Sequence, residues 1–436
     1  MHDYHMPSLR RALFRFWSIV IAVILLAGAL LPLPASAAAV PPPIQARSAI
    51  LVEATTGQVL YAFNEKEPLP PASMTKMMTE YLVLEAVTSG QISWEQMVTV
   101  SENAASLDGS EIWLYPGEQI SVQELFEGMA VYSANDATVA FAELLGGTET
   151  AFVQMMQEKA AELGMANTHF RTSSGYPAKD MKNPPLIEGE NLMSAEDAAI
   201  LGRALILDHP EIRDFTTLPR ITRKNLNGTT SELPNWNWLI DPLIKAYPGA
   251  DGLKTGNTEA AGYCITATAE RNGLRFIAVV MGADSIESRF DEVRKLLDFG
   301  FANYTWTQVV KGKEPIEGSE TAPVSKGRQR EVAIIPERDV NLLVQKGSSV
   351  DFQVKAELPT EPVEAPIAAQ QVIGKAVIVS TSGQSPVYLA GIPAGEGSGV
   401  VNLVARDAVE RANWFSLFFR SIGETIGGLF QGIIGR

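Results

Sequence analysis

The stretch Pro70-Pro71-Ala72-Ser73-Met74-Thr75-Lys76-Met77-Met78-Thr79-Glu80 puts a serine and a lysine three positions apart, where a proline-marked loop gives way to a helix. Met77, Met78, Tyr81, Leu82, Leu84 and Val87 follow at helical spacing and Gly90 closes the run, so a helix is predicted over residues 75–87. If that helix opens at Ser73, positions i and i+3 share a face. The hydroxyl and the amine can then meet, and the helix N-terminus adds positive potential at the serine. A buried lysine beside another cation gives up its proton and can serve as base to the serine. The same pair also suits a helix cap followed by a solvated lysine, so alone it leaves both readings open.

Working outward, Ile50-Leu51-Val52-Glu53-Ala54 and Gln58-Val59-Leu60-Tyr61-Ala62-Phe63 flank Thr55-Thr56-Gly57 as a hairpin. Further helices are expected over residues 122–132, 136–145, 150–163, 195–207 and 290–304, and strands over 262–269 and 275–282. Strands at both ends with helices between them indicate one α+β domain, residues 41–305, whose sheet joins distant segments. Past Trp306 the composition turns to Lys, Gly, Glu, Pro and Ser, which reads as a linker through Lys313. Short β-rich runs at 332–335, 340–344, 350–354, 372–379, 387–390 and 400–404 then predict a small all-β domain over 314–405. A proline-rich loop at 358–366 interrupts it. The tail, residues 413–436, carries Phe415, Phe418, Ile422, Ile426, Leu429 and Ile433 at steps of three or four. Its glycines make it a poor helix alone, so it needs a surface: a membrane interface, or the core of the β-domain.

Composition narrows the functions. With 46% hydrophobic and 19% charged residues, the 436-residue chain is globular rather than disordered. A formal charge of -15 and no basic run inside the chain argue against nucleic acid as a partner. Arg10, Arg11 and Arg15 precede an apolar run over residues 16–33, and Pro34-Ala35-Ser36-Ala37 supplies the small residues of a processing site, so residues 1–37 read as a secretory signal peptide. An uncleaved anchor is the rival; both place the body outside the cytoplasm. The single cysteine, Cys264, excludes an intramolecular disulfide and a cysteine zinc site, and reads as a small core hydrophobe. Only His169 and His209 remain past the signal segment, and each falls at a turn or strand entry. A serine nucleophile here needs a base other than histidine.

Two further signals change the weight of Ser73 and Lys76. Tyr132-Ser133-Ala134-Asn135 falls between two predicted helices, giving a Ser-x-Asn that can face a cleft. Asp251-Gly252-Leu253-Lys254-Thr255-Gly256 leads into Gly262-Tyr263-Cys264, which puts Lys254 on or beside an edge strand with room for an extended substrate. Ser101-Glu102-Asn103 also fits Ser-x-Asn but has no helix feeding it. Ser-x-x-Lys, Ser-x-Asn and Lys-Thr-Gly in that order are the three elements of penicilloyl serine transferases.

On these motifs, residues 45–305 resemble the catalytic domain of the low-molecular-mass penicillin-binding proteins that are serine-type D-alanyl-D-alanine carboxypeptidases, and the remainder is similar to their accessory β-domain and membrane anchor. The resemblance implies a β-lactamase/transpeptidase-like α+β fold and hydrolysis of peptidoglycan stem peptides ending in D-Ala-D-Ala, with no cofactor and no metal. It further implies β-lactams as covalent inhibitors and a membrane surface as the partner of the C-terminal helix. Ser73 is then the nucleophile and Lys76 its base. Ser133 and Asn135 relay protons and hold the substrate backbone, and Lys254 keeps Lys76 neutral and attracts the substrate. Thr255 binds the terminal carboxylate, and the N–H groups of Ser73 and of Asn257, the residue after Gly256, form the oxyanion hole. Arg289 stands about where the family has an arginine near the carboxylate; a surface arginine is the alternative. A β-lactamase with a deacylating glutamate would carry Glu-x-x-Leu-Asn, whereas Glu188-Gly189-Glu190-Asn191-Leu192 has another order. A D,D-endopeptidase cutting cross-links and a non-catalytic penicillin-binding scaffold remain alternatives.

Overall fold

The computed structural model describes residues 40–226, 228–347, 352–380, 386–391 and 399–418. The expected signal segment 1–37 lies outside the described residues, as does the tail helix beyond Phe418. Strands β1 (Ser48–Glu53) and β2 (Gln58–Phe63) form the predicted hairpin. Helix α1 (Lys76–Thr88) follows, then a short β3 (Met97–Thr99) and β4 (Gln119–Ser121) pair. Helices α2 (Val122–Tyr132), α3 (Asn135–Gly146), α4 (Glu149–Glu162), α5 (Ala195–Asp208) and α6 (Ile212–Thr216) come next. The hairpin of β5 (Arg220–Lys224) and β6 (Thr230–Pro234) leads to β7 (Ala250–Thr258), β8 (Gly262–Arg271), β9 (Leu274–Ala283) and helix α7 (Ile286–Asn303).

The antiparallel pairing of β1 with β9, with Ile50 opposite Val279, joins the two ends of this region into one sheet. Alternation sorts its side chains. Ile50, Val52, Ile277, Val279 and Met281 enter the core beneath α1 to α5, while Ala49, Leu51, Phe276, Ala278 and Val280 face α7 on the other side. A strand buried on both faces shows a continuous apolar run, as Ala49–Val52 does. Helix α1 is apolar nearly all round, and it is buried nearly all round at the centre of the helical layer. The strand order β2-β1-β9-β8-β7 leaves β7 at an open edge.

The structure corrects several expectations. The chain does not enter an α-helix at Ser73: Ala72–Thr75 form a 3-10 turn, and α1 starts at Lys76. The expected linker after Trp306 is strand β10 (Tyr304–Val310), which runs on directly from α7. Strand β11 (Thr321–Ser325) was not anticipated; β12 (Glu331–Pro336) and β13 (Val340–Gln345) were, and β13 pairs with β10. Strands β14 (Phe352–Glu357), β15 (Val363–Glu364, inside the expected loop) and β16 (Val372–Ser380) follow. Then come β17 (Val387–Tyr388) and β18 (Val400–Ala405), and a six-stranded sheet runs β14-β16-β18-β12-β11-β15 over its own apolar cluster. Strand β17 does not belong to it. It pairs with β2 at the far edge of the first sheet, and the adjoining Leu389 is buried in the core of the helical layer.

The described start of the tail, residues 414–418, is helical, with Trp414, Phe415 and Phe418 exposed. Among the described residues no helix is long and apolar enough to cross a membrane.

Candidate active site

Ser73 sits in the 3-10 turn, and Lys76 caps it. With three residues per turn, i and i+3 stand directly in line, and Lys76 Nζ lies 3.0 Å from Ser73 Oγ. The turn is held from two sides by close backbone approach. A Cβ at Gly175, whose φ is +76°, would lie 2.0 Å from Ala72 O, and a Cβ at Gly256 would lie 2.5 Å from Pro71 O. Both positions therefore demand glycine. This explains why Lys254-Thr255-Gly256 ends in one: edge strand β7 runs against the turn that carries Ser73.

Lys76 is fully buried. Its Nζ also donates to Asn135 Oδ1 at 2.7 Å and to Ser174 O at 2.9 Å. Asn135 opens α3, where its Nδ2 donates to Asp108 O at 2.8 Å and its backbone N–H to Ser110 O at 2.7 Å. Both ends of this buried amide are thus engaged by protein, and its oxygen holds Lys76. Ser133 ends α2 in the left-handed region, with φ 67°, a conformation costly for a non-glycine residue and frequent at functional sites. Its Oγ accepts from Lys254 Nζ at 2.8 Å. Each lysine therefore engages one serine of the site, Lys76 the hydroxyl of Ser73 and Lys254 that of Ser133.

The electrostatics follow from burial. Burial and then the nearby Lys254 charge hold Lys76 well below the usual lysine range, against the opposing pull of Glu80 and Asp136. Lys254 is lowered to about 8 by burial and by Arg289, again opposed by Glu80. Arg289 is buried at 4% exposure, so the surface alternative does not hold. Its Nη1 donates to Gly256 O at 3.4 Å, and its own value is lowered to about 10 by burial.

A cleft of about 370 Å³ opens over these groups, lined by Ser73, Ser133, Thr255, Gly256, Asn257 and Arg289 together with Gly109, Ser110, Tyr132, Trp236, Tyr263 and Ile286. The expected site residues Lys76, Asn135 and Lys254 form its floor by touching Ser73, Lys76 and Ser133 rather than by lining it. Sequence reasoning missed Ser174, whose contribution is a backbone carbonyl without any residue-type signature. It also missed the aromatic wall of Tyr132 and Trp236, whose rings lie 5.7 Å apart. The decoy resolves cleanly: Ser101 Oγ accepts from Ala104 N–H, and Asn103 donates to Glu143. Neither histidine reaches the cleft. His169 Nε2 contacts Glu188 O and His209 packs edge-on against Tyr81. Cys264 is buried in β8, its thiol pushed up to about 11 by burial. Among the described residues no cluster of His, Cys, Asp and Glu suits a metal ion.

Comparison with known proteins agrees with this geometry. Residues 35–285 match the D-alanyl-D-alanine carboxypeptidase family and residues 304–411 the C-terminal domain of penicillin-binding protein 5. The chain is 39% identical over 337 residues to the D-alanyl-D-alanine carboxypeptidase DacF of Bacillus subtilis, covering 77% of this chain and 81% of that one. Its fold is similar to penicillin binding protein 5 of Haemophilus influenzae (TM-score 0.69, 32% identity, 86% of this chain and all of the other). Over 60% of this chain it also matches the whole of penicillin-binding protein D2 of Listeria monocytogenes in its ampicillin-bound form (TM-score 0.51, 32% identity). With a family match over more than half its length and a relative this similar across most of both chains, the chain belongs to the D-alanyl-D-alanine carboxypeptidase family.

Proposed function

We propose that this protein is a serine-type D-Ala-D-Ala carboxypeptidase that removes the terminal D-alanine from peptidoglycan stem peptides through an acyl-enzyme, and that β-lactams trap it at that stage. One observation carries the reading: the surroundings of Lys76 Nζ. A neutral amine has two N–H donors and one lone pair. Asn135 Oδ1 and Ser174 O are acceptors at 2.7 and 2.9 Å and take the two hydrogens, which leaves the lone pair for the Ser73 hydroxyl at 3.0 Å. That is the arrangement of a nucleophile with its base.

In the proposed sequence, Ser73 Oγ attacks the carbonyl between the two D-alanines as its proton passes to Lys76 Nζ. The backbone N–H groups of Ser73 and Asn257 receive the oxyanion. Lys76 hands the Ser73 proton to Ser133, which is linked to Lys254, as Ser133 passes its own to the leaving nitrogen; the C–N bond breaks, D-alanine leaves, and Lys76 is neutral again. Water then attacks the ester as Lys76 takes its proton, and Lys76 returns that proton to Ser73 Oγ as the acyl C–O bond breaks. Lys254, Thr255 and Arg289 bind the terminal carboxylate, a role that the burial of two cations beside one open cleft supports. We further propose that residues 1–37 direct export and that the aromatic start of the tail, Trp414, Phe415 and Phe418, begins a helix that lies on the outer face of the membrane.

The test is incubation of the protein with a peptide ending in D-Ala-D-Ala and, separately, with a labelled penicillin, beside Ser73→Ala. Release of D-alanine with long-lived labelling, both lost in the variant, is expected. Labelling without release would favour the endopeptidase or scaffold reading, and rapid penicillin turnover a β-lactamase.

A further inference from the structure

Glu80 lies one turn beyond Lys76 on α1, and side chains of a helix lean toward its N-terminus, so its carboxyl leans back toward the lysine. It is wholly buried, and neither oxygen has a hydrogen-bond partner among the described residues. A carboxyl sealed in this way is costly unless something nearby favours it. Two cations do. Burial raises Glu80 to about 8, against the opposing charges of Lys254 and then Lys76. In return Glu80 is the chief electrostatic support of the Lys254 charge, which burial and Arg289 disfavour. No ion pair within 4.0 Å joins Glu80 to either lysine among the described residues, because both amines are engaged by Ser73, Asn135, Ser174, Ser133 and Thr255 O. Glu80 acts through its field.

Other buried acids on the helices packed against α1 have partners of their own, Glu149 through one of its two oxygens. Asp136 on α3 accepts from the N–H groups of Ile112 and Leu114, Glu149 on α4 from Ser173, and Asp197 on α5 from Asn167 and Thr168. Arg289 on α7 is the remaining cation beside Lys254.

The reaction asks opposite things of two buried lysines: Lys76 neutral and Lys254 charged. We infer that Glu80 is a positioning residue for acylation, its buried carboxyl behind the lysine pair keeping Lys254 cationic while Lys76 is neutral. The inference rests on the Ser73–Lys76 reading above. As pH rises, Glu80 and Lys254 compete for a proton. Loss of the Glu80 proton leaves a carboxylate that holds the ammonium and extends activity to higher pH.

The experiment compares the acylation rate by a labelled penicillin across about pH 6 to 10 for full-length wild type, Glu80→Gln and Glu80→Asp. The alkaline limb of Glu80→Gln is expected about one pH unit lower than that of wild type, with Glu80→Asp close to wild type. A Glu80→Gln profile lowered evenly, with its limb unmoved, overturns the inference and leaves Glu80 a packing residue. No labelling of wild type overturns the underlying reading and this inference with it. Should Glu80→Gln fail to fold, the side-chain carboxyl carbon of Glu80 in wild type, followed by NMR, decides. A Glu80 that is a carboxylate across the alkaline limb agrees, and one that stays protonated through the limb refutes the inference.

Discussion

Gly256→Ala probes the closeness on which the site depends. The added Cβ would stand 2.5 Å from Pro71 O, 3.2 Å from Ala72 Cβ and 3.2 Å from Met74 N. These are main-chain atoms or a Cβ on the turn itself, so no side-chain rotation relieves the clash. Strand β7 and the Ser73 turn must part by at least about half an ångström, a strain of roughly 1–3 kcal/mol for overpacking. The parting separates Ser73 from Thr255, Asn257 and Lys254 together, because all three ride on β7. A misplacement approaching 1 Å costs about 10²-fold in rate, so acylation by a labelled penicillin is expected to fall by roughly 10- to 100-fold. The assay is the second-order acylation rate constant, measured beside a urea unfolding midpoint. The variant should lose both rate and stability. Acylation within threefold of wild type would refute the claim that this contact sets the geometry.

Asn135→Ala removes the acceptor that fixes one Lys76 hydrogen, so acylation should drop by about 10²-fold with little change in fold, as judged by circular dichroism; an unchanged rate would show that Asn135 does not orient the base. Wild-type acylation should rise as Lys76 loses its proton and fall as Lys254 loses its own near pH 8. In Lys254→Gln the neighbouring charge that lowers Lys76 is gone, so the acidic limb should move to higher pH by about one unit, and an unmoved limb would contradict the coupling. Leu389→Ala should destabilise the protein by about 2–4 kcal/mol, read from the urea midpoint, because Leu389 fills the helical core from the β17 arm; no change would mean that the arm contributes nothing.

The parts of the molecule that were legible in the sequence are those whose signal is local. Helix α2 was expected over 122–132 and forms over Val122–Tyr132, because Ser121 and Glu124 build a reciprocal cap before an apolar face. Ser73, Lys76, Ser133 and Lys254 were visible because each belongs to a short motif whose spacing matches the turn or strand that carries it. The 3-10 turn was not foreseen, although it serves the Ser-x-x-Lys spacing better than an α-turn does. What stayed hidden depends on distant partners. The chain past Trp306 reads as a linker because its composition turns to Lys, Gly, Glu, Pro and Ser, and only pairing with β13 makes Tyr304–Val310 a strand. Val387–Tyr388 is too short to encode which sheet it joins, so its place beside β2 could not be read. That the Asn135 amide also bonds Asp108 O and Lys76 is a fact that only the fold supplies. Nothing local in the sequence marks Glu80 as buried.

The chemistry of the cleft turns on Lys76 being a neutral amine poised to take the proton of Ser73. The most direct measurement is the NMR titration of the Lys76 Cε resonance, assigned by its loss in Lys76→Arg. Lys76 is expected to titrate well below the usual lysine range. A Lys76 that stays charged until about pH 10.5, the range of an unperturbed lysine, would contradict it.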